Sequence, residues 1–194
     1  STRVDSIRFE GYYNRELGEM SYTKTNWVAG STPLSAAKLN NLETQYDKVF
    51  NVLKSALKTA DESVNNSTTL QNDDELYLPL EANKYYSFEL FAHVYSNTPQ
   101  FKGSFTVPSG ATIFWMVFGG YSTDSTRYYC SDTSGNTFAI NTVGSVQPSF
   151  VYAVGFVYTG SNTGNLQFQW AQHTADDTDT IVKKGSYLLV RKLN

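Results

Sequence analysis

Residues 73–194 carry short apolar runs in which large apolar side chains alternate with polar ones, and turn-forming residues separate the runs. In the longest run, one side of the predicted strand carries Tyr86, Phe88, Leu90, Ala92 and Val94. A later run alternates in the same way at Leu166, Phe168 and Trp170. A period of two indicates a strand with one buried face, and many short strands separated by turns are typical of sandwiches and barrels. The sequence therefore predicts a mainly β fold, with an antiparallel jelly-roll sandwich over residues 73–194.

The opposite face of the longest run is more aromatic than a solvated face requires, because it carries Tyr85, Phe91, His93 and Tyr95. Aromatic side chains are enriched at the surfaces through which proteins meet their partners. We therefore predict that Phe91 and Tyr95 lie in a subunit interface.

Residues 32–58 precede this body and carry apolar residues at alternating spacings of three and four. The positions are Leu39, Leu42, Tyr46, Val49, Leu53 and Ala56. This spacing predicts a helix with a heptad seam, and Thr32 or Ser35 is suited to cap its start. A helix of about three heptads is marginal alone in water. It therefore needs a partner, which is either the same helix in other copies, as in a trimeric bundle, or the β body of its own chain. Phe50, Val52 and Leu57 make the stripe broader than a two-stranded zipper requires, which favours a bundle of three or more helices or packing on the β body. Of the two, we prefer self-association.

Residues 1–31 contain too few apolar residues for a core of their own, so they form either a disordered leader or an extended docking arm. Aromatic residues on a polar segment are typical of docking peptides, and the candidates for docking on another protein are Tyr12, Tyr13, Tyr22 and Trp27. Residues 59–72 are rich in serine, threonine and asparagine and are predicted to form a polar linker between the helix and the sandwich.

The composition argues against several functional classes. The formal net charge of −3 and the pI of about 5.3 give no basic surface for nucleic acid. The most apolar stretch, residues 113–118, is far shorter than the ~20 residues of a membrane span, so we expect no membrane insertion. Cys130 is the single cysteine and cannot form an internal disulfide, which permits assembly in a reducing cytoplasm. Cys130 is expected to be a small buried apolar residue.

Catalytic chemistry has little support in the sequence. His93 and His173 lie far apart without a metal-ligand or nucleophile motif beside them. The acidic clusters at 73–75 and 176–179 lack the spacing of a calcium loop and are expected to be solvated loops. The sequence therefore predicts no enzyme, no cofactor and no metal site.

Several segments together resemble proteins of tailed-bacteriophage virions. The segments TNWV at 25–28 and GSTPLSAAKLN at 30–40 are similar to a stretch that precedes a helix and a β-structured tip in such proteins. The segments LQFQWAQH at 166–173 and TIVKKGSYL at 180–188 resemble the closing strands of tail-fibre and head-fibre domains. The segments EANKYY at 81–86 and FKGSFTVPSG at 101–110 resemble their opening strands. The architecture of those domains is similar to the trimeric tumour-necrosis-factor jelly roll.

The resemblance implies a phage virion structural protein that assembles in the host cytoplasm. It would be a homotrimeric fibre, spike or capsid-decoration protein, attached to other virion proteins of the capsid or tail through its N-terminal part. The alternative is a receptor-binding or carbohydrate-binding module at a tail tip, with a host cell-surface glycan as partner. Its motivation is the loops rich in glycine, serine, threonine and asparagine at residues 119–136, which also carry tyrosines, and at residues 160–164, since such loops adapt their hydrogen bonding to a ligand.

Overall fold

The computed structural model describes residues 34–50, 52–96, 100–120, 127–142 and 149–193. These residues form one α-helix and twelve β-strands. The elements are α1 (Ala36–Phe50), β1 (Leu53–Leu57), β2 (Glu62–Val64), β3 (Gln71–Leu80), β4 (Tyr85–Ser96), β5 (Gln100–Thr106), β6 (Thr112–Gly120), β7 (Arg127–Ser131), β8 (Thr137–Asn141), β9 (Ser149–Tyr158), β10 (Gly164–Gln172), β11 (Thr180–Val182) and β12 (Tyr187–Lys192). The prediction of a mainly β sandwich preceded by a helix is confirmed.

The strands form two antiparallel sheets. The larger sheet has the order β1-β12-β4-β9-β6-β7, and β11 and β2 extend it beside β4. The smaller sheet has the order β3-β10-β5-β8. The chain crosses between the sheets at eight connections, which are β2 to β3, β3 to β4, β4 to β5, β5 to β6, β7 to β8, β8 to β9, β9 to β10 and β10 to β11. Repeated crossing of this kind between two antiparallel sheets is the connectivity of a jelly roll.

The core lies between the two sheets and is rich in aromatic side chains. The ring of Phe105 lies 5.2 Å from that of Phe88 and 5.5 Å from that of Phe168, measured between centroids. Trp115 and Trp170 are also buried. The side chains predicted to share a buried face in β4 and in β10 are all buried, so the period of two identified the correct faces.

The helix begins where the sequence indicates and ends earlier than predicted. The Ser35 hydroxyl accepts a hydrogen bond from the backbone N–H of Lys38 at 3.3 Å, so Ser35 is the cap. The helix ends at Phe50, and Leu53–Leu57 is a strand paired with β12. The placement of Leu53 and Ala56 on the helical seam is therefore wrong. The backbone of β1 bonds to β12, and Ala56 packs against the sandwich core.

The segment predicted to be a polar linker is mostly integrated into the sandwich. Within residues 59–72 the chain forms β2, which pairs with β11, and begins β3, which pairs with β10. The polar composition misled the prediction because these strands lie at sheet edges, where polar side chains face water. The docking arm at residues 1–31, with Tyr12, Tyr13, Tyr22 and Trp27, lies outside the described residues.

Candidate subunit interface and buried ionic cluster

The outer face of the larger sheet is unusually apolar for a surface that is open in a single chain. The outward side chains of five neighbouring strands lie in adjacent rows, as the strand register shows. These strands are β1, β12, β4, β9 and β6. The large apolar residues exposed there are Leu53, Leu57, Tyr85, Phe91, Phe114, Met116, Phe150 and Phe156. We call this surface the apolar face. Contiguous apolar surface that spans several strands marks an interaction site in a folded protein.

Aromatic rings on the apolar face stack on one another along the rows. Phe114 and Phe156 stack with centroids 5.6 Å apart, and Phe91 stacks on Tyr187 at 5.9 Å. The stacking orders the rings within the chain but leaves large parts of them accessible, since 49% of Phe156 is exposed. The face is therefore preorganised before anything covers it.

The two residues predicted for this interface lie on the same strand at different depths. Phe91 is exposed near the middle of the apolar face. Tyr95 is half-buried at its end, where the Lys183 ammonium lies 5.5 Å from the ring centroid and the His93 ring lies 5.0 Å away. The structure thus places both residues on the face from which the prediction was made.

One carboxylate occupies the centre of the apolar face. Glu89 on β4 accepts a hydrogen bond from the Tyr187 hydroxyl at 2.8 Å and one from the Tyr152 hydroxyl at 3.1 Å, each on a different carboxylate oxygen. The hydrogen bond to Glu89 raises the pKa of Tyr187, and burial together with the same carboxylate raises the pKa of Tyr152. Both hydroxyls therefore stay protonated and hold Glu89 in a fixed position.

One arginine lies near this carboxylate on the neighbouring strand. Arg191 on β12 is exposed and pairs in register with Ser87, two positions from Glu89. Among the described outward residues of β1, β12, β4, β9 and β6, Glu89 is the only carboxylate and Arg191 the only arginine or lysine. A single opposite pair in an apolar surface fixes how another surface can be aligned on it.

The outer face of the smaller sheet has the opposite character. Its outward residues are mainly amides, hydroxyls and charged groups, among them Asn72, Lys102, Thr106, Asn165, Gln167 and Gln169. The Gln169 amide donates to the Asn72 side-chain oxygen at 2.8 Å. Tyr77 is the large aromatic residue exposed on this polar face. The sandwich is therefore two-sided, with one face suited to water and one suited to a partner.

The helical stripe is also exposed in a single chain. Leu39 is 43% exposed and Tyr46 is 63% exposed, while Leu42 is partly exposed. The side chain of Val49 lies outside the described part of the chain. The sandwich of the same chain thus leaves much of Leu39 and Tyr46 open to solvent. The helix ends three residues before Leu53, whose outward side chain begins the apolar face.

A buried ionic cluster lies at the edge of the core between β1 and β3. Lys58 is 2% exposed, and its ammonium lies 2.5 Å from a Glu62 carboxylate oxygen and 2.9 Å from Oδ1 of Asp73. Glu75 contributes a more distant carboxylate at 3.8 Å. Burial lowers the pKa of Lys58, but the hydrogen bonds to Glu62 and Asp73 outweigh it and the pKa is raised. Burial raises the pKa of Glu62 despite its contact with Lys58.

Both carboxylate oxygens of Asp73 accept hydrogen bonds from the surrounding chain. Its Oδ1 accepts the backbone N–H groups of Leu76 at 2.8 Å and Glu75 at 3.0 Å, and its Oδ2 accepts the indole N–H of Trp170 at 3.1 Å. The expectation that residues 73–75 form a solvated loop is therefore wrong. Asp73 is a strand residue with 1% exposure, which its four hydrogen bonds make possible. The sequence offers no signal for this pairing, because nothing local connects Lys58 with Asp73.

The remaining residues considered for chemistry lie apart. Cys130 is exposed on β7 rather than buried, because it pairs with Met116 on the outward side of the sheet edge. His93 is half-buried on β4, whereas His173 is exposed beyond β10. In the acidic segment at 176–179, Asp177 and Asp179 are exposed in a loop, as expected. No group of three or more potential metal ligands occurs among the described residues. Over the same residues, α1 is too short and too polar to cross a bilayer.

Comparison with known proteins finds structures of very low similarity. No family model matches the chain, and no curated protein matches it. The structures found to be similar include that of the infectious bursal disease virus Gt strain, with a TM-score of 0.18 and 8% identity over 73% of this chain and 35% of that chain. The crystal structure of the infectious bursal disease virus VP2 subviral particle gives a TM-score of 0.20 and 11% identity over 73% of this chain and 37% of that chain. This chain thus spans little more than a third of those chains. Scores this low identify neither a family nor a function.

Proposed function

We propose that this chain is a non-enzymatic structural protein of a tailed-bacteriophage virion. It forms a homotrimeric fibre, spike or capsid decoration that assembles in the host cytoplasm, attaches to the particle through its N-terminal part and displays the β-sandwich. The assignment to a phage virion is supported by the segment resemblances at 25–40, 81–86, 101–110, 166–173 and 180–188. The observation that carries the self-association is the apolar face of the larger sheet.

A second copy of this chain is the occupant that the chemistry of the apolar face favours. The face carries many aromatic and aliphatic side chains together with Glu89 and Arg191. Burying a lone carboxylate against an unrelated apolar surface is costly, because its charge loses water without gaining a cation. Another copy supplies both the apolar surface and the matching arginine. The polar face of the smaller sheet stays in water in such an assembly.

The trimeric state rests on the helix. The stripe of Leu39, Leu42 and Tyr46 has the heptad spacing of a helix that packs on other copies of itself, and the resemblance to trimeric jelly rolls favours three copies. Since α1 ends just before β1, a cyclic assembly that covers the apolar faces also brings the helices together on one side. Three parallel helices beside three packed sandwiches satisfy both exposed surfaces at once.

Sedimentation velocity and native mass spectrometry on the purified chain test the assembly. We expect a particle of three times the chain mass at micromolar concentration. A stable monomer there would remove the trimer from the proposal. Immunogold labelling of purified phage particles tests the virion assignment, for which we expect labels at regular positions on the head or tail. Particles that carry no label and no peptide of this chain would refute it.

A glycan-binding role at a tail tip is the second candidate, and the polar face is the observation that favours it. Tyr77 presents an exposed ring beside Gln167, its partner in the strand register, and Thr106 lies one strand further on. An aromatic ring with amides and hydroxyls around it suits a sugar, which has an apolar face and hydroxyl edges. A glycan array with the full chain and with Tyr77→Ala tests this role. Binding that survives the substitution would remove the polar face as the site.

A further inference from the structure

The buried cluster brings a primary amine and a carboxyl group into direct contact, with a second carboxylate on the amine. We propose that Lys58 and Asp73 become joined by an intramolecular amide bond between Nζ of the lysine and Cγ of the aspartate, with Glu62 carrying the protons. The structure shows the two groups in hydrogen-bond contact at 2.9 Å, which is the arrangement from which the bond forms. This inference is independent of the proposed function.

Proximity and the exclusion of water favour the reaction. Lys58 and Asp73 are both almost fully buried, so the water that would hydrolyse the product is kept away. Strand pairing places the two groups permanently side by side, because β1 is bonded to β12 and β3 to β10. Effective concentrations of well-oriented intramolecular groups reach about 10⁵ to 10⁸ M. A condensation that is negligible between free side chains in water is therefore accessible here.

The contacts of Asp73 activate it as the electrophile. Attack on Cγ places negative charge on a carboxyl oxygen, and this charge is stabilised by donors that are already in position. The backbone N–H groups of Glu75 and Leu76 point at Oδ1, and the Trp170 indole N–H points at Oδ2. These donors act as an oxyanion hole does, because β3 and β10 hold them in fixed positions beside the oxygens that gain charge.

Glu62 is placed to move the protons. Its carboxylate lies 2.5 Å from Nζ of Lys58, so it can accept one ammonium proton and leave a neutral amine to attack Cγ. Burial raises the pKa of Glu62, which makes it a better acceptor than an exposed carboxylate. Glu62 passes this proton to one oxygen of Asp73, so that the amine attacks Cγ of a neutral carboxyl group. A second proton leaves the nitrogen after the attack, and both protons depart with that oxygen as a water molecule. An ammonium and a carboxylate thus give one amide and one water, Glu62 is regenerated, and no oxidant or reductant is needed.

The bond would connect the two sheets. The backbone of Lys58 bonds to the turn before β12, since its N–H donates to the Ser186 carbonyl at 2.8 Å and its carbonyl accepts from Gly185 at 2.8 Å. It therefore belongs to the larger sheet, whereas Asp73 belongs to β3 of the smaller sheet. A covalent link at this point holds the sandwich closed at one edge.

Intact mass spectrometry of the denatured full chain tests the bond. We expect a mass lower than that of the sequence by one water molecule. Tryptic digestion should leave the chain uncut after Lys58 and give a single peptide, residues 55–84, that is closed into an internal loop and is lighter than its sequence by one water molecule. Lys58→Arg and Glu62→Gln should each show the full sequence mass. The matched control is Lys54→Arg, since the Lys54 ammonium donates to the Pro79 carbonyl at 3.1 Å and is not a member of the ionic cluster, and this variant should still lose water.

The wild-type chain decides the question even if the Lys58 or Glu62 variants fail to fold. A natively purified chain with the full sequence mass and normal tryptic cleavage after Lys58 would overturn the proposal and leave a non-covalent ionic cluster. A loss of water that persists in Lys58→Arg would also overturn it, because the modification would then lie elsewhere in the chain.

Discussion

The two-sidedness of the sandwich gives a matched pair of substitutions. Phe156 lies on the apolar face with 49% of its surface exposed, and Tyr77 lies on the polar face with 43% exposed. Both are aromatic residues on strands with similar exposure, and they differ mainly in the face that they occupy. Phe156→Ala should therefore weaken self-association, and Tyr77→Ala should leave it unchanged.

The size of the effect follows from the area that the assembly would cover. A phenylalanine carries about 200 Å² of surface, so covering the exposed half of Phe156 removes about 100 Å² from water. At about 25 cal/mol per Å² this contributes about 2.5 kcal/mol for each copy. Three copies contribute about 7.5 kcal/mol to the trimer, which moves the midpoint concentration of dissociation by about two to three orders of magnitude.

Sedimentation velocity over a dilution series measures that midpoint for both variants. Thermal unfolding of each variant is the control, because an exposed residue should change the stability of the single chain by less than about 1 kcal/mol. Equal midpoints for Phe156→Ala and the wild type would refute the argument that the apolar face is the interface. So would an equal shift in Tyr77→Ala, since the effect would not then depend on the face.

Three further predictions concern the charged pair of the apolar face, the helical seam and the dependence of stability on pH. Arg191→Glu should weaken the oligomer about tenfold or more, because it places two carboxylates in the interface. Combining it with Glu89→Arg should recover part of the lost oligomer, as measured by native mass spectrometry. No recovery would mean that residues 89 and 191 do not pair between copies. Leu42→Asp should dissociate the oligomer through an unpaired charge in the seam, and an unchanged sedimentation coefficient would exclude the helix from the assembly. The hydrogen bond from Lys192 lowers the pKa of Glu81, so Lys192→Gln should raise that pKa in an NMR titration. Because the pKa of Glu81 is lowered in the folded state, its ion pair with Lys192 stabilises the fold at any pH above the unfolded-state pKa of Glu81. This stabilisation is lost as the pH falls through the folded-state pKa. An unchanged titration of Glu81 in Lys192→Gln would show that the pair is not formed.

The strands were predictable where a single face is buried. The alternation in β4 and β10 specified both the strands and their core-facing side chains, because a period of two has no helical counterpart. The end of the helix was not predictable in the same way. Leu53 and Leu57 are four residues apart, which places them on one side of a helix and also on one side of a strand. Pairing with β12, which lies far along the chain, decides between the two.

The apolar face was partly predictable, and the ionic cluster was not. Aromatic residues on both sides of β4 indicated a covered outer surface, and the structure adds rows from four further strands to Phe91. Glu89 gave no signal, because a charge at an outward position normally means water. Asp73 was assigned to a solvated loop for the same reason. Its burial depends on Lys58 and Trp170, and such long-range compensation cannot be read from local composition.

The direction of the helices distinguishes a cyclic trimer from other assemblies that cover the apolar face. In a cyclic assembly all helices leave the sandwiches on the same side, so equivalent seam residues of neighbouring copies meet in one layer. Leu39 is such a residue. In an antiparallel dimer the two helices would lie at opposite ends of the particle, and the two Leu39 positions would be far apart.

Disulfide formation by Leu39→Cys in a Cys130→Ser background measures whether equivalent helices lie side by side. Cys130 is the only native cysteine, so the variant has one thiol in each chain. Mild oxidation should produce a disulfide-linked dimer from each trimer and leave the third chain free, because three thiols on an axis can form only one disulfide. The exposed residue Asn40, placed one position away from Leu39, is the control site, and Asn40→Cys should cross-link much more slowly. Equal rates at both sites would show that the seam does not face itself, and the parallel bundle would then be abandoned even if the sandwiches still associate.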